Sequence, residues 1–352
     1  MKILIVVLLR LLNGIWRNIM QNKIIHIMKP EKFNAPFIDF IKKNLTVSKH
    51  EFIFLSKENY DYGITKDHNT IWIKYNFLKL LKELYLADKI ILHGLWKNKF
   101  ILLLFLNPWL LKKSYWIIWG GDLYPLNKNS WIKKQVIKKM GYIITYIRGD
   151  YELIQKDCGA QGKYYECFMY PSNIYKENNI KLKNHTSINI QIGNSAHISN
   201  NHVLLLENLA QYRNKDIKIL APLSYGKEKY SKEVILKGKE IFEEKFQPII
   251  TFMPFDKYLK FLGDIDIAIF AHKRQQAMGN IITLLGLGKK VYMRSDITPW
   301  KLFKDIDVKV FDVENINLEL LSDNDKEENK KKIKEYFSKE NYLKQLKQLF
   351  ES

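Results

Sequence analysis

Arg274, Gln275, Gln276 and Asn280 stand within seven residues, between an apolar run that ends at Phe270 and a helical stretch that Gly286 and Gly288 close. Together they offer one fixed positive charge, three amides and a helix N-terminus, with Gly279 among them. Backbone N–H groups at a helix start, backed by the helix dipole, favour an anion, and a guanidinium fork grips phosphate oxygens. The segment therefore reads either as half of a site for a phosphorylated ligand or as an ordinary polar strand-to-helix connection.

A second loop led by glycine, Gly193-Asn194-Ser195, leaves a strand predicted at 188–192 and reaches a helix predicted at 203–210 through Ser199, Asn200, Asn201 and His202. Such loops cradle phosphate in many α/β proteins, although this one has neither the Gly-x-Gly-x-x-Gly spacing nor a Walker sequence. Ser224 and Tyr225 follow the apolar stretch 217–220, where a hydroxyl and an aromatic ring suit a nucleotide base. Earlier in the chain, His93 follows apolar residues 89–92, which fits either a ligand crevice at strand ends or a histidine bonded to neighbouring backbone. Asp122, delivered by Gly120-Gly121 behind apolar residues 115–119, fits either a general base towards a sugar hydroxyl or an N-cap. Cys158 and Cys167 form no metal-ligand pattern and no disulfide framework, which suits a reducing cytoplasm.

These residues need elements that gather strand ends on one edge. Apolar strands are predicted at 24–28, 51–55, 89–92, 115–119, 142–147 and 164–169, with amphipathic helices between them, so each connection is a right-handed crossover in a parallel sheet. The rhythm lapses between Tyr170 and Thr186, then restarts with strands at 188–192, 217–220, 248–252, 265–270, 290–293 and 308–311. Asp256 is predicted to cap the helix that packs Tyr258, Leu259, Phe261 and Leu262. The resulting division is an apolar extension at 1–22, a first α/β domain at 23–180, a second at 186–324 and charged helices at 325–352.

At 352 residues the chain exceeds what one core usually serves. Its formal charge of +20, from 57 Lys and Arg against 37 Asp and Glu, points to polyanions, an anionic membrane face or phosphorylated substrates. Residues 3–12 are almost wholly apolar but too few to span a bilayer, leaving a membrane-interface helix or a start-site extension ahead of Met20 or Met28. Residues 131–140 alternate Trp131, Ile132, Val136 and Ile137 with four lysines, as a helix does that rests on anionic lipid or covers a sheet.

Taken together, Trp119-Gly120-Gly121-Asp122-Leu123-Tyr124, Gly193-Asn194-Ser195 with Ser199 to His202, Pro222 to Gly226, and Arg274 to Asn280 resemble the bacterial 4-acetamido-4,6-dideoxygalactose (Fuc4NAc) transferases of enterobacterial common antigen synthesis, glycosyltransferase family 56. The likeness covers about residues 24–310. It implies a GT-B enzyme of two Rossmann-like domains whose parallel sheets face a central cleft, peripheral on the cytoplasmic face of the bacterial inner membrane. It also implies transfer of a deoxyamino sugar from a dTDP-sugar to an undecaprenyl-diphosphate-linked saccharide in surface polysaccharide synthesis, with no cofactor and no metal. Carried over by position, Gly193, Asn194, Ser195, Asn201, His202, Arg274, Gln275, Gln276, Gly279 and Asn280 hold the donor diphosphate and sugar. Ser224 and Tyr225 lie near the base, while Asp122 and His93 are the catalytic pair. Gln275, Gln276 and Thr283 occupy the neighbourhood where many GT-B enzymes carry a glutamate pair. The competing readings are a nucleotide-sugar 2-epimerase of the same architecture and a basic nucleic-acid-binding protein. No motif of the usual RNA-binding domains supports the latter, so nucleic acid is not an expected partner.

Overall fold

The computed structural model describes residues 22–46, 49–56, 62–73, 76–124, 130–177 and 185–351. The expected extension at 1–22, all but Asn22, and the core of the expected linker thus lie outside the described residues. The chain forms two units: one ends at Ser172 and takes back the chain from Tyr342, and the other is Asn173–Asn341.

In the first unit, β1 (Ile24–Met28), β2 (His50–Phe54), β3 (Thr70–Trp72), β4 (Lys89–His93), β5 (Ser114–Ile117), β6 (Tyr142–Ile144) and β7 (Lys163–Tyr165) make an all-parallel sheet in the order β3-β2-β1-β4-β5-β6-β7. Helices cover a parallel sheet on both faces, which is why β1 and β5 are buried at every residue and are mostly apolar, with His26 and Ser114 the exceptions. The helices are α1 (Asn34–Asn44), α2 (Phe77–Leu86), α3 (Asn98–Leu106), α4 (Pro108–Leu111), α5 (Gly120–Leu123), α6 (Trp131–Lys138) and α7 (Arg148–Cys158). Ile25, Ile53, Leu92 and Trp116 from the sheet pack with Leu84 of α2, Leu104 of α3 and Val136 of α6 in one core. The start of α2 is set by Asn76, whose side chain accepts from the Lys79 N–H at 2.9 Å. Gly159, at φ +63°, ends α7 in the left-handed conformation that glycine adopts freely.

The second unit repeats the plan. It contains β8 (Ile188–Ile192), α8 (His202–Leu209), β9 (Ile217–Pro222), α9 (Glu228–Phe242), β10 (Phe246–Ile249), α10 (Phe255–Gly263), β11 (Ile267–Phe270), α11 (Met278–Gly286), β12 (Lys290–Met293), α12 (Thr298–Asp305), β13 (Phe311–Asp312) and α13 (Asp323–Tyr336). Its strands are also all parallel, in the order β10-β9-β8-β11-β12-β13. The first strand, β8, has β9 on one side and β11 on the other. The sheet therefore winds in opposite directions from that point, and the loops leaving β8 and β11 part from neighbouring strand ends.

Three expectations need correction, and two elements, the edge strand β3 and helix α12, were not foreseen. Asp256 does not cap α10: the helix begins at Phe255 behind Pro254, and Asp256 lies in its first turn, where a carboxylate still complements the dipole. His93 is the last residue of β4, not the loop residue after it. The charged helices at 325–352 do not form a region of their own. Helix α13 belongs to the second unit, whereas α14 (Lys339–Phe350) has Tyr342 onward in the first. Tyr342 is fully buried there and donates to the Met169 carbonyl at 2.6 Å, and the Phe168 N–H donates to Gln345 Oε1 at 3.2 Å.

Candidate functional site

The loops after β8 and β11 meet at the carboxyl edge of the second unit's sheet, and Asn200 ties them together. Its Oδ1 accepts from the Asn194 N–H at 3.0 Å and lies 2.7 Å from Nε2 of His272, while its Nδ2 donates to the carbonyl and hydroxyl of Ser195 at 2.9 and 3.2 Å. Asn200 and His272 are both buried. Gly193 opens the loop at φ +62°, and a Cβ there would stand 2.8 Å from Asn200 Oδ1 and collide with the His202 ring. Only glycine satisfies both the backbone and the space.

A layer of amides lies over this base. Asn194 donates to the Tyr225 hydroxyl at 2.9 Å, and its Oδ1 accepts a longer bond of 3.4 Å from Gln276. Gln276 Oε1 accepts from the Ser199 hydroxyl at 2.7 Å, and Asn201 donates to the Ala271 carbonyl at 2.8 Å. Helix α11 then starts behind Ala277, a non-glycine held at φ +57°. Such a conformation costs of order 1 kcal/mol and is retained where surrounding contacts fix it. Gly279 and Asn280 lie in the first turn of α11, with the Thr283 hydroxyl bonded to the Gly279 carbonyl at 2.8 Å.

The site carries positive charge and no carboxylate: residues 193–201, 223–227 and 271–280 contain Lys227, Lys273 and Arg274 but neither Asp nor Glu. Burial, with Arg274 second, lowers the His272 imidazole to about 3. Burial also lowers His197, again helped by Arg274 and by Lys227. Both rings are therefore neutral hydrogen-bonding groups at neutral pH. Tyr258, from α10, reaches the same place; burial raises its hydroxyl, opposed by bonding to Asn280 and Gln191.

Gly193, Asn194, Ser195, Asn201, Tyr225, Arg274, Gln276, Gly279 and Asn280 lie in the loops and the helix start at this edge. His202 lies beneath the loop, fully buried against Tyr230, and burial lowers its imidazole to about 4 against the opposing Ile192 carbonyl. Ser224 is half-buried at the end of β9, and Gln275 has a buried Oε1 that no group among the described residues meets. Asn200, His272, Gln191 and Tyr258 were not singled out. Asn200 stood inside the polar run but looked like its neighbours, and Tyr258 looked like core packing.

In the first unit, His93 and Asp122 occupy separate networks. His93 Nε2 lies 3.0 Å from His26 Nδ1, His26 Nε2 lies 2.9 Å from His50 Nδ1, and His93 Nδ1 lies 2.6 Å from the Tyr170 hydroxyl. Each nitrogen of His26 faces another imidazole, so the three rings are neutral and their tautomers are linked. Burial lowers His93 to about 3, His50 to about 4 and His26 well below the usual value. Asp122 sits in the short helix α5, 4% exposed. Its Oδ2 accepts from the Leu95 N–H at 2.8 Å and the Trp116 indole at 2.9 Å, and its Oδ1 accepts from the Trp119 N–H at 2.8 Å. Burial raises its carboxyl to about 6 despite these donors. No group of three His, Cys, Asp or Glu side chains among the described residues is arranged to hold a metal ion.

A family model described as 4-alpha-L-fucosyltransferase, glycosyl transferase group 56, matches residues 80–352. Among solved structures, a glycosyltransferase from Rickettsia africae ESF-5 matches with a TM-score of 0.66 at 13% identity, over 94% of this chain and 97% of that one. Anabaena Alr3699/HepE in complex with UDP matches with a TM-score of 0.65 at 10% identity, over 94% and 99%. WaaG, a glycosyltransferase involved in lipopolysaccharide biosynthesis, matches with a TM-score of 0.53 at 7% identity, over 94% and 95%. At these identities the likeness is one of fold, and the fold is GT-B.

Proposed function

The chain belongs to glycosyltransferase group 56 and is a glycosyltransferase, and from that premise we propose that it moves a deoxyamino sugar such as Fuc4NAc from a dTDP-sugar to an undecaprenyl-diphosphate-linked saccharide. The place of action in this reading is the cytoplasmic face of the inner membrane, during surface polysaccharide synthesis. The observation that carries the donor half is the acid-free, positively charged loop cluster at the carboxyl edge of the second unit, with a helix start behind it. That a structural relative holds UDP supports a nucleotide-linked donor.

In this reading the oxygen of an acceptor hydroxyl bonds to the anomeric carbon as the bond from that carbon to the diphosphate breaks, and the hydroxyl proton passes to an oxygen of the departing diphosphate. The nucleoside diphosphate gathers negative charge as it leaves. Arg274, the Gly193 loop and the first turn of α11 stabilise that charge more in the transition state than in the bound donor, which is how they accelerate the step. Tyr225, more than half exposed, stacks on the base, and Ser224 bonds to it. Asn280, Gln275 and Gln276 read the sugar. Asp122 and His93, enclosed as they are, hold the acceptor half in shape.

Thermal melting against dTDP-, UDP- and GDP-sugars tests the donor assignment. A dTDP-sugar at a hundredfold excess over its Kd stabilises the chain by about 2.7 kcal/mol, and Arg274→Ala removes most of the shift. An equal shift in the Arg274 variant would take that residue out of the site, and no shift with any nucleotide sugar would end the donor reading.

A further inference from the structure

The first unit contains a cavity of about 360 Å³ that none of the donor-site residues line. Leu55, just past β2, Ile73, just past β3, and Leu80, Phe77 and Phe100 from α2 and α3 make an apolar floor and walls. Lys97, Asn98, Lys99 and Asn76 line it as well, all four of them exposed. The volume falls in the range of small-molecule sites, and strand ends of a parallel sheet are where such sites form.

The two ends of this cavity ask for different chemistry. Its floor has no polar partner to offer a base or a sugar, so it takes hydrocarbon. The polar residues include two ammonium groups, Lys97 and Lys99, and no carboxylate. Helices α2 and α3 both begin at the cavity, neither has an acidic residue in its first turn, and no side chain caps α3. Two dipoles of ten- and nine-residue helices therefore add to the lysine charge. A ligand matching both ends is an amphiphile with an apolar chain joined directly to a strongly anionic head.

Resting on the transferase reading above, we propose that this cavity binds the lipid carrier of the acceptor. The first units of an isoprenoid chain lie against Phe77, Leu80 and Phe100, and the diphosphate lies against Lys99, Lys97 and the start of α3. An isoprenoid diphosphate fits the charge better than a diacyl phospholipid, because its head carries more than one negative charge and its single branched chain enters a cavity of this size.

Calorimetric titration of the full chain tests this, with farnesyl diphosphate, inorganic pyrophosphate and short-chain phosphatidylglycerol as probes. The expected result is that farnesyl diphosphate binds at least tenfold more tightly than either other probe. Phe77→Glu, which places an anion on the exposed edge of the apolar wall, and Asn98→Trp, which fills the cavity from outside the core, each weaken it at least tenfold. Both variants keep the wild-type melting temperature and the melting shift given by nucleotide sugars. Absence of farnesyl diphosphate binding, undiminished binding in both variants, or equal affinity for pyrophosphate or phosphatidylglycerol overturns the proposal. If nucleotide sugars bind and farnesyl diphosphate does not, the carrier site fails alone. If farnesyl diphosphate binds as expected and no nucleotide sugar does, the carrier site stands and the donor reading fails.

Discussion

Asp122 has the composition of a catalytic carboxylate and the surroundings of a fastener. Three N–H donors from the end of β4, from β5 and from the turn at Trp119 converge on its two oxygens. An asparagine cannot replace it, because its NH2 group must face either Trp119 or the pair formed by Leu95 and Trp116, donor against donor. Asp122→Asn should therefore destabilise the first unit by about 2–3 kcal/mol, the worth of charge-assisted bonds lost and donors left unmet. Chemical denaturation measures this directly. Unchanged stability with lost sugar transfer would instead return Asp122 to the role of base. The sequence could not separate these roles, since Gly-Gly-Asp after a strand leads equally to an exposed loop and to a closed turn. The difference lies in Leu95 and Trp116, which are brought to it only by the fold.

Helices and strands were more legible than side-chain roles. Central parallel strands are buried on both faces, so β4, β11 and β12 stand out as apolar runs, and β1 is broken only by His26. The edge strand β3 contributes three residues, too few to show a period. Helix α12 begins with Thr298-Pro299, where a proline in the first turn reads equally as a loop. Helix α3 is only partly buried. Its start walls the cavity, while Leu102 and Leu106 are exposed, and Phe105 meets Trp131 of α6 edge-on at 5.5 Å. Trp131 is itself 65% exposed, with Lys138 and Lys139 exposed in the same stretch. Aromatic and leucine side chains beside lysines suit the surface of an anionic bilayer. Replacing Leu106 and Trp131 together by serine should lower partitioning onto anionic vesicles in flotation by about a hundredfold or more, given roughly 1.5–3 kcal/mol for each large apolar side chain fully buried. Unchanged flotation would remove these helices from any membrane contact. Among the described residues no helix is long and apolar enough to cross a membrane.

Across the whole molecule, five buried histidines set the response to acid. His26, His50 and His93 in the first unit and His202 and His272 in the second all have their pKa lowered, chiefly by burial. The unfolded chain takes up protons on these rings near pH 6.5, while the folded chain resists. Their contribution is therefore fully present above about pH 6.5 and is lost as pH falls towards 4 and then 3. Asp122 acts in the opposite sense, because its raised carboxyl binds a proton more readily when folded. One such group does not offset five. Calorimetric melting should show both units losing stability steadily between pH 6.5 and 4, and a flat profile over that window would contradict the neutral histidine chain.

Helix α14 carries a further consequence. Phe350 packs on the rings of His26 and His50, and Lys89 reaches the carbonyls of Leu349 and Phe350 at 3.0 and 3.1 Å, so the first unit is closed by residues that follow the whole second unit in the chain. During synthesis the second unit, Asn173–Asn341, has its whole sequence available while the first still lacks this helix. The order of completion on the ribosome is thus the reverse of the order of translation. The first unit waits, open along one side of β1 and β2, until residues 342–350 have also been made.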